Sequence, residues 1–397
     1  MIYRELCGEK VSLLGMGNMR LPTAGQGEHI DVDKAQAIID RAYAAGVNYF
    51  DTAFRYHGGE SETFIGQALA KYPRDSWLLA SKLPGHMMQR GADGLLHFNA
   101  GLAGQAPVRS VAEVFERQLE KCGVDHFDFY LLHNVCESSY DFYMDEQIGV
   151  VPYLLEQQKK GRIRHLGFST HGQAEVIDQF LSAWEGVFGF VQLQLNYLDW
   201  RLQGADKKVA AVARHGAKVV VMEPCRGGRL ADINPRCNAL LKQARPQASI
   251  ASWAFDFVKS MPEVAVVLSG MSTLEQLEDN LATFADDTPL TPAQRRLLLE
   301  DVVGDLIDLV PCTGCRYCTE GCPQGLDIPR LIALQNEMSY ESHDAAYFIL
   351  RGFKPQARPG ACIGCGACAK ICPQGIDVPG VLRAFAARLA ADERANA

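Results

Sequence analysis

Short apolar runs rich in β-branched and aromatic residues alternate with amphipathic stretches over the first 285 residues of this 397-residue chain. Eight of these runs have the length of a strand, and a stretch with helical periodicity follows most of them. Their sequences are VSLLGMG, VNYFDTA, SWLLASK, FDFYLLH, RHLGFS, FVQLQLN, KVVVMEP and VAVVLSG. Alternation of strands and helices is typical of a parallel sheet, and eight repeats favour closure. The pattern therefore predicts an α/β fold, a (β/α)8 TIM barrel, over residues 1–285.

Two segments of this region depart from the repeat. Near the N-terminus, YRELCGEK predicts a small hairpin that closes the floor of the barrel. Residues 85–109, after the third strand, are too many for an ordinary connection between strand and helix. Loops after barrel strands lie on the catalytic face, so we expect this segment to form a flap that selects substrate. A disordered surface insertion is the alternative.

Polar residues before the predicted helices indicate where these helices begin. Capping boxes are predicted at Ser110 with Glu113 and at Ser272 with Glu275. Thr291, followed by a proline and by Gln294, predicts the start of another helix. We interpret residues 286–310 as a helix that bridges the barrel to a second domain at 311–397.

The second domain carries one cysteine pattern twice, in CTGCRYCTEGCP from Cys312 and in CIGCGACAKICP from Cys362. Each copy has the spacing C-x2-C-x2-C-x3-C-P, which resembles the runs that bind 4Fe-4S clusters in bacterial ferredoxins. The resemblance implies a small ferredoxin domain of short helices and loops with two 4Fe-4S clusters. A zinc site is the alternative, but structural zinc sites use paired CxxC motifs or add histidines.

In two-cluster ferredoxins the fourth cysteine of each run binds the other cluster. The resemblance therefore implies that Cys312, Cys315, Cys318 and Cys372 bind one cluster, and that Cys362, Cys365, Cys368 and Cys322 bind the second. The segment LIALQNEMSYESHDAAYFILRGFKP between the runs is longer than in a minimal ferredoxin and is predicted to be largely helical. We expect its aromatic and charged residues to cover the clusters, with docking of a partner as the alternative.

Composition narrows the classes of function. The net charge of −8 and the absence of a lysine- and arginine-rich stripe argue against binding of nucleic acid. No apolar run reaches the roughly 18 residues of a membrane span, and the first residues lack the apolar core of a signal peptide. We expect a cytoplasmic protein without a membrane partner, whose cysteines outside the cluster runs stay reduced.

Three consecutive predicted strands end in an ionisable residue, at Asp51, Lys82 and His133, and Tyr56 follows Asp51 in the next turn. In a barrel such strand ends converge at one mouth. An adjacent ammonium stabilises phenolate, so Lys82 is expected to lower the pKa of Tyr56 and to make it an acid-base group. Asp51 would keep Lys82 charged, and His133 would bind the substrate oxygen or relay the proton. Each residue taken alone also has an ordinary structural explanation.

The sequences DTAFRY, ASK and YLLHN resemble the catalytic elements of the aldo/keto reductase superfamily. With the cysteine runs, the chain resembles the branch of that superfamily that carries two 4Fe-4S clusters. The resemblance implies that Tyr56 donates a proton to a carbonyl oxygen while a nicotinamide bound across the barrel supplies hydride. It also implies that Asp51, Lys82 and His133 complete a catalytic tetrad.

The same resemblance assigns cofactor positions. It implies that Ser169, Thr170 and Gln192 hold the nicotinamide carboxamide, that Met222 replaces a stacking tyrosine, and that Asp279 and Asn280 contact the adenine. Gly270 stands where a lysine would help to bind the 2′-phosphate of NADP, and Gln276 stands where an arginine would. NAD, NADP bound in another way, and no nicotinamide at all therefore remain open.

These observations favour an oxidoreductase that interconverts a small carbonyl compound and an alcohol with NAD or NADP. Clusters transfer single electrons whereas hydride carries two, and no flavin motif is evident to connect them. One alternative is an enzyme supplied with electrons by ferredoxin or another redox protein. Another is a non-catalytic redox sensor or electron-transfer partner. The sequence does not indicate the substrate.

Overall fold

The computed structural model describes residues 1–25, 29–99, 105–306, 309–312, 314–339 and 343–395. Its strands are β1 Tyr3–Leu6, β2 Glu9–Ser12, β3 Leu14–Gly17, β4 Tyr49–Asp51, β5 Leu78–Leu83, β6 Met88–Arg90, β7 Leu96–Phe98, β8 Phe127–Leu132, β9 Ile163–Thr170, β10 Phe190–Gln194, β11 Lys218–Met222 and β12 Val264–Ser269.

The helices of the barrel region are α1 Val32–Ala44, α2 Ser61–Leu69, α3 Val111–Cys122, α4 Tyr140–Met144, α5 Val150–Lys159, α6 Ala174–Ala183, α7 Asp199–Leu202, α8 Ala205–Arg214, α9 Pro235–Ala244, α10 Ile250–Lys259 and α11 Leu274–Thr283. They are followed by α12 Pro292–Arg296, a π-helical stretch at Leu297–Val302, α13 Val303–Leu306, α14 Tyr317–Glu320, α15 Ile328–Ser339, α16 His343–Arg351, α17 Ala367–Ile371 and α18 Val378–Ala395. Within the described residues, no helix combines the length and the apolar character needed to span a bilayer.

Eight parallel strands close into a barrel in the order β3, β4, β5, β8, β9, β10, β11, β12, and β12 pairs with β3. These strands are the eight apolar runs of the sequence, so the predicted (β/α)8 fold is confirmed. Large side chains such as Tyr49, Phe129 and Phe190 fill the interior. Gly167 has to be a glycine, because a Cβ there would lie 2.5 Å from the ring of Phe190.

The N-terminal hairpin is also present. Strands β1 and β2 pair antiparallel, and their Leu6 and Val11 are buried in the same cluster as the barrel interior. Arg4 donates hydrogen bonds to the backbone oxygens of Lys259, Met261 and Val264. The hairpin thus closes the N-terminal end of the barrel, as predicted.

The long segment after β5 forms a short turn at Gly85–Met87 and a hairpin of β6 and β7. Phe98 of this hairpin stacks on Phe54, with ring centroids 5.8 Å apart. Phe54 precedes Tyr56 by two residues. The hairpin therefore lies beside the C-terminal mouth of the barrel, where the flap was predicted. Residues 100–104 of the predicted flap lie outside the described residues.

Two of the three predicted capping arrangements are wrong, although Ser110 does stand at the N-cap of α3. The Ser110 side chain makes no capping bond, and Glu113 accepts from the backbone amide of the preceding arginine instead. At α11 the cap is Thr273 rather than Ser272. Thr291 and Gln294 form the reciprocal capping box of α12. The helix that begins there packs Leu298, Val302 and Val303 into the barrel core, while the boundary at residues 286–310 stays a prediction.

The C-terminal region has a hydrophobic core of its own, which includes Leu326, Leu331, Leu382 and Phe385. Each cysteine run contains a short helix, α14 or α17, and these two helices contact each other. Each run is followed by a longer helix, α15 or α18. This helix-rich, loop-rich unit matches the ferredoxin-like domain expected from the sequence.

Candidate active site

The four acid-base residues predicted from the strand ends meet at the C-terminal mouth of the barrel. Asp51 ends β4, Lys82 lies near the end of β5, and His133 follows β8 directly. Tyr56 begins the turn after β4 and is half-buried. Adjacent parallel strands place β4, β5 and β8 side by side, which explains why residues far apart in sequence become neighbours.

Lys82 is fully buried, yet its ammonium has three oxygen partners. Its Nζ donates to Asp51 Oδ1 at 2.6 Å, to the backbone oxygen of Thr52 at 2.8 Å and to Tyr56 Oη at 3.3 Å. Burial opposes the charge, but Asp51 and Tyr56 outweigh it and raise the pKa of Lys82. Lys82 therefore stays protonated at neutral pH and directs its charge at the phenol oxygen.

Tyr56 differs from its prediction in one respect. Burial raises the pKa of Tyr56 above that of a free tyrosine, although the neighbouring Lys82 acts in the opposite direction. The expectation of a lowered pKa is therefore wrong, because loss of solvent outweighs one ammonium that is itself neutralised by Asp51. At neutral pH the hydroxyl is protonated and available as a hydrogen-bond donor or acid.

Two histidines extend the site from Tyr56. His133 lies next to Tyr56, and His86, which the sequence did not indicate, lies next to His133. The rings of Tyr56 and His133 are nearly perpendicular with centroids 6.2 Å apart, and His86 lies 4.5 Å from His133. Burial lowers the pKa of His133 well below its usual range and that of His86 to about 3, so both rings are neutral. Tyr143 Oη donates to the backbone oxygen of His133 at 2.6 Å and helps to hold this loop.

The predicted carboxamide residues line the same mouth. Ser169 Oγ accepts from the backbone amide of Asn134 at 2.9 Å, and Thr170 Oγ1 accepts from another backbone amide at 2.8 Å. Gln192 Nε2 lies 3.7 Å from the sulfur of Met222. Buried Gln192 Oε1 and Asn134 Nδ2 have no hydrogen-bond partner among the described residues. One unpaired acceptor and one unpaired donor fit a carboxamide, which has both an NH2 group and a carbonyl oxygen.

Gly270 lies in the loop after β12, under the side chain of Arg20. A Cβ at Gly270 would be 3.1 Å from the Cβ of Arg20, and a Cβ at Gly227 would be 3.1 Å from its guanidinium. The guanidinium also lies 3.8 Å from Glu223 and is half-exposed. Arg20, from the loop after β3, thus places its cation against the loops after β11 and β12. The sequence of the β12 loop alone does not reveal this cation.

The two predicted adenine contacts take part in the packing of α11. Asp279 accepts a hydrogen bond from Ser249 Oγ at 2.7 Å, at the start of α10. Asn280 is buried and donates to Ser269 Oγ at 2.8 Å, at the end of β12. Asp279 therefore connects α11 to α10, and Asn280 connects α11 to the last barrel strand.

The eight cysteines of the C-terminal runs surround two separate cavities. Cys312, Cys315, Cys318 and Cys372 line one small cavity. Cys322, Cys362, Cys365 and Cys368 line the second. In the part of the chain that the structure describes, no group of three His, Cys, Asp or Glu side chains could hold a single metal ion. Four thiols around an apolar-walled space fit a multi-atom cluster better than one zinc ion.

Buried polar contacts connect the C-terminal domain to the barrel. Glu337 of α15 accepts from Arg226 Nη2 and from Gln203 Nε2, each at 2.7 Å. Arg226 also pairs with Asp199, with Nη1 and Oδ1 3.1 Å apart, and all four residues are buried. Burial, followed by the charge of Asp199, raises the pKa of Glu337 to about 7, against Arg226, Gln203 and the nearby Lys208.

Helix α16 lies against the barrel mouth. Its Ile349 and Leu350 pack into the core of the C-terminal domain. Phe348 instead contacts two rings of the barrel, with centroids 5.8 Å from His86 and 6.0 Å from His171. The covering of the clusters by the segment between the cysteine runs stays a prediction, and the structure places Phe348 of this segment over part of the mouth.

Sequence reasoning missed several residues of this mouth: His86, Asn134, His171, Arg20 and Phe348. Asn134 directly follows His133 and has a left-handed backbone with φ of 58°, so its position at a strand end was a usable signal. The others come from loops or from the second domain. No local pattern connects them to the site.

Both parts of the chain are similar to known proteins. Residues 13–298 match the model of the aldo/keto reductase family, and residues 311–376 match that of a 4Fe-4S dicluster domain. The NADH-specific methylglyoxal reductase of Escherichia coli (strain K12) is 26% identical over 308 residues, which cover 68% of this chain and 89% of that protein. The L-galactose dehydrogenase of Arabidopsis thaliana is 25% identical over 297 residues, covering 70% and 86%.

The barrel is also similar to a solved structure. The aldo-keto reductase AKR11C1 from Bacillus halodurans, in its holo form, superposes with a TM-score of 0.59 at 27% identity. The match covers 75% of this chain and 95% of that one. These proteins therefore resemble this chain over most of their own length.

The grouping of cysteines around the two cavities predicts which cysteines share a cluster. Anaerobically purified wild-type protein should hold about eight iron atoms, and Cys312→Ser combined with Cys372→Ser should keep about four. Cys312→Ser combined with Cys322→Ser should lose iron from both centres. Iron and sulfide analysis measures the difference. The reverse order of the two double variants would show that each run binds its own cluster.

The raised pKa of Glu337 predicts a pH-dependent stability. Between pH 4.5 and about 7 the folded protein holds a proton that the unfolded chain releases, so the free energy of unfolding should fall as pH rises through this window. Glu337→Gln should weaken this fall, and its melting temperature should gain several degrees relative to wild type between about pH 5 and about pH 7.5. Anaerobic circular dichroism melting measures it.

Glu278→Gln is the matched control, because Glu278 forms an exposed ion pair with Arg41 on the barrel surface. This variant should melt in parallel with the wild type at every pH. A difference between Glu337→Gln and wild type that does not change with pH would contradict the prediction.

Proposed function

This chain belongs to the aldo/keto reductase family of oxidoreductases, and we propose that it reduces a small carbonyl compound to an alcohol with Tyr56 as the proton donor. The observation that carries the proposal is the contact of buried Asp51 and Lys82 with half-buried Tyr56. The ammonium of Lys82 contacts the phenol oxygen at 3.3 Å and the carboxylate at 2.6 Å. Such a set matches the work of a positioned general acid.

The raised pKa of Tyr56 suits this direction of reaction. The phenol is protonated at neutral pH, so it can donate a hydrogen bond to a carbonyl oxygen and then transfer its proton as negative charge develops there. The phenolate that remains would be stabilised by Lys82, whose charge costs no reorganisation because Asp51 already holds it. Neutral His133 offers a second hydrogen bond to the same oxygen.

A nicotinamide dinucleotide, when bound, would supply the hydride. Its carboxamide fits the unpaired atoms of Gln192 and Asn134, with Ser169 and Thr170 beside them. We propose that Met222 packs against the ring. Arg20 provides a cation beside the loops after β11 and β12 where phosphates would lie.

We propose that Asp279 and Asn280 lie beside the adenine end of this nucleotide. The nucleotide would pass over Gly270 to reach them. The relative from Escherichia coli is named as NADH-specific. In this chain, Gly270 offers no charge, so the choice between NAD and NADP would depend on Arg20.

The eight cysteines would hold two 4Fe-4S clusters, which supply one-electron chemistry. Exposed Cys315 and Cys365 would let a redox protein such as ferredoxin approach these centres. Reduction of a carbonyl takes an electron pair, so the proton transfer from Tyr56 does not require them. Cluster thiolates need a reducing compartment, and we therefore propose that the protein acts in the cytoplasm.

Removal of the Tyr56 hydroxyl should abolish turnover. Tyr56→Phe should lower kcat for aldehyde reduction by a factor of about 10² to 10⁴, the usual contribution of a positioned acid. Nucleotide affinity, measured by NADH and NADPH fluorescence titration, should change little because the hydroxyl is not among the proposed carboxamide contacts. Tyr43→Phe, which removes a hydroxyl bonded to Ser76 outside the mouth, is the control. Activity close to wild type in Tyr56→Phe would exclude Tyr56 as the acid.

The pKa directions at the mouth predict a flat pH profile. As an acid, Tyr56 must be protonated, and burial raises its pKa beyond the usual range of a tyrosine, so kcat for reduction should stay within about twofold between about pH 6 and about pH 9. His86 and His133 are neutral across this range and should add no acidic limb. Steady-state rates at saturating aldehyde and nucleotide measure this. An alkaline limb between pH 7 and pH 9 would contradict it.

A further inference from the structure

The C-terminal domain brings one aromatic side chain to the barrel mouth. Phe348 lies on α16, between the two cysteine runs, and its ring is 5.8 Å from that of His86 and 6.0 Å from that of His171. His86 in turn lies 4.5 Å from His133, which is next to Tyr56. Phe348 is therefore two rings away from the candidate proton donor, although nearly 300 residues separate them in sequence.

Contacts on both sides of Phe348 fix α16 in this place. After α16, the backbone passes so close to the loop behind β8 that a Cβ on Gly352 would be 2.5 Å from the backbone of Glu137. Glu137 is also held by Arg330 of α15, with Oε1 and Nη2 2.9 Å apart. Farther along α15, Glu337 is bound by Arg226 and Gln203. The position of Phe348 thus follows from backbone packing and from two buried or half-buried polar anchors.

The surface that results is lined by aromatic rings. Tyr56, His86, His133, His171 and Phe348 form a row of rings at the mouth. Burial keeps His86 and His133 neutral, so these two rings offer apolar surface to a ligand. Aromatic rings bind other rings edge to face or offset, with a preference beyond the area they bury.

We propose that Phe348 of the iron-sulfur domain is a wall of the substrate pocket and selects carbonyl compounds with an aryl ring. This inference rests on the proposed carbonyl reduction. The carbonyl oxygen lies at Tyr56 and His133, and the ring of the substrate packs against His86 and Phe348. The iron-sulfur domain therefore completes the substrate site of the barrel in addition to any role in electron transfer.

The test compares Phe348→Ala with Tyr347→Ala in the holoprotein. Tyr347 is the adjacent residue, and its exposed side chain contacts Arg351 and the edge of the Phe348 ring. Among the described residues it makes no ring contact with the barrel, so its removal should leave the ring of Phe348 in the pocket wall. For Phe348→Ala, the ratio of kcat/KM for benzaldehyde to that for propanal should fall about tenfold, because the aryl ring loses its partner. For Tyr347→Ala this ratio should match the wild type.

A binding measurement separates this inference from the proposed reaction. Benzamide has an aryl ring and a carbonyl oxygen but is not reduced under these conditions, so calorimetry follows its binding without turnover. Its Kd should rise about tenfold in Phe348→Ala and stay unchanged in Tyr347→Ala. If wild type reduces neither aldehyde, the proposed reaction fails while the benzamide comparison still tests Phe348. An unchanged aldehyde ratio together with an unchanged Kd would overturn the inference.

A third variant guards against loosening of the domain. Phe348→Leu keeps an apolar side chain that can pack on α16 but lacks the ring. With iron content and melting temperature equal to wild type, it should show most of the fall in the benzaldehyde ratio seen for Phe348→Ala. Full retention of the aryl preference in Phe348→Leu would show that the ring is not recognised.

Discussion

The candidate site depends on the charge of a single buried residue, Lys82. An ammonium removed from water carries a penalty of several kcal/mol unless close partners offset it. The barrel meets this requirement because β4 lies beside β5, so Asp51 and the Thr52 carbonyl face Lys82 Nζ. Gln118 also holds the Lys82 backbone oxygen and the buried Glu62. The residues around Lys82 thus supply the polar partners that its buried charge requires.

The same burial decides the protonation of the neighbouring groups. Loss of solvent raises the pKa of Tyr56 and lowers those of His133 and His86, so the phenol of Tyr56 is protonated and the imidazoles of His133 and His86 are neutral beside the ammonium of Lys82. A general acid with a pKa well above the surrounding pH is a weak acid in water. In the proposed reaction, the charge that forms on proton transfer from Tyr56 would appear next to Lys82, in a place where electrostatic interactions are strong. Burial and activation are therefore parts of one arrangement.

Much of the fold and part of the site follow from patterns that extend over one element. Periodicity identified the eight strands, and the rule that parallel strands share a C-terminal edge brought Asp51, Lys82 and His133 together. The pKa of Tyr56 could not be predicted in the same way, since its sign depends on how much solvent the whole mouth excludes. Arg20 and Phe348 were missed for a different reason. Their contacts with Gly270 and His86 arise from loops and domains that meet only in three dimensions.

The position of the C-terminal domain is determined by polar groups that are continuous with the mouth. Glu337 binds Arg226, and Arg226 pairs with Asp199. Asp199 accepts a hydrogen bond from Gln194. Gln194 in turn lies within 3.2 Å of His171, whose ring faces Phe348. A set of buried hydrogen bonds of this kind loses more than one contact when one member leaves, because each remaining group is left buried without its partner. Undocking of α15 would therefore also free the backbone around Arg226 after β11 and the imidazole beside Phe348. For this reason the barrel and the iron-sulfur domain are better regarded as one catalytic unit than as an enzyme with an attached carrier.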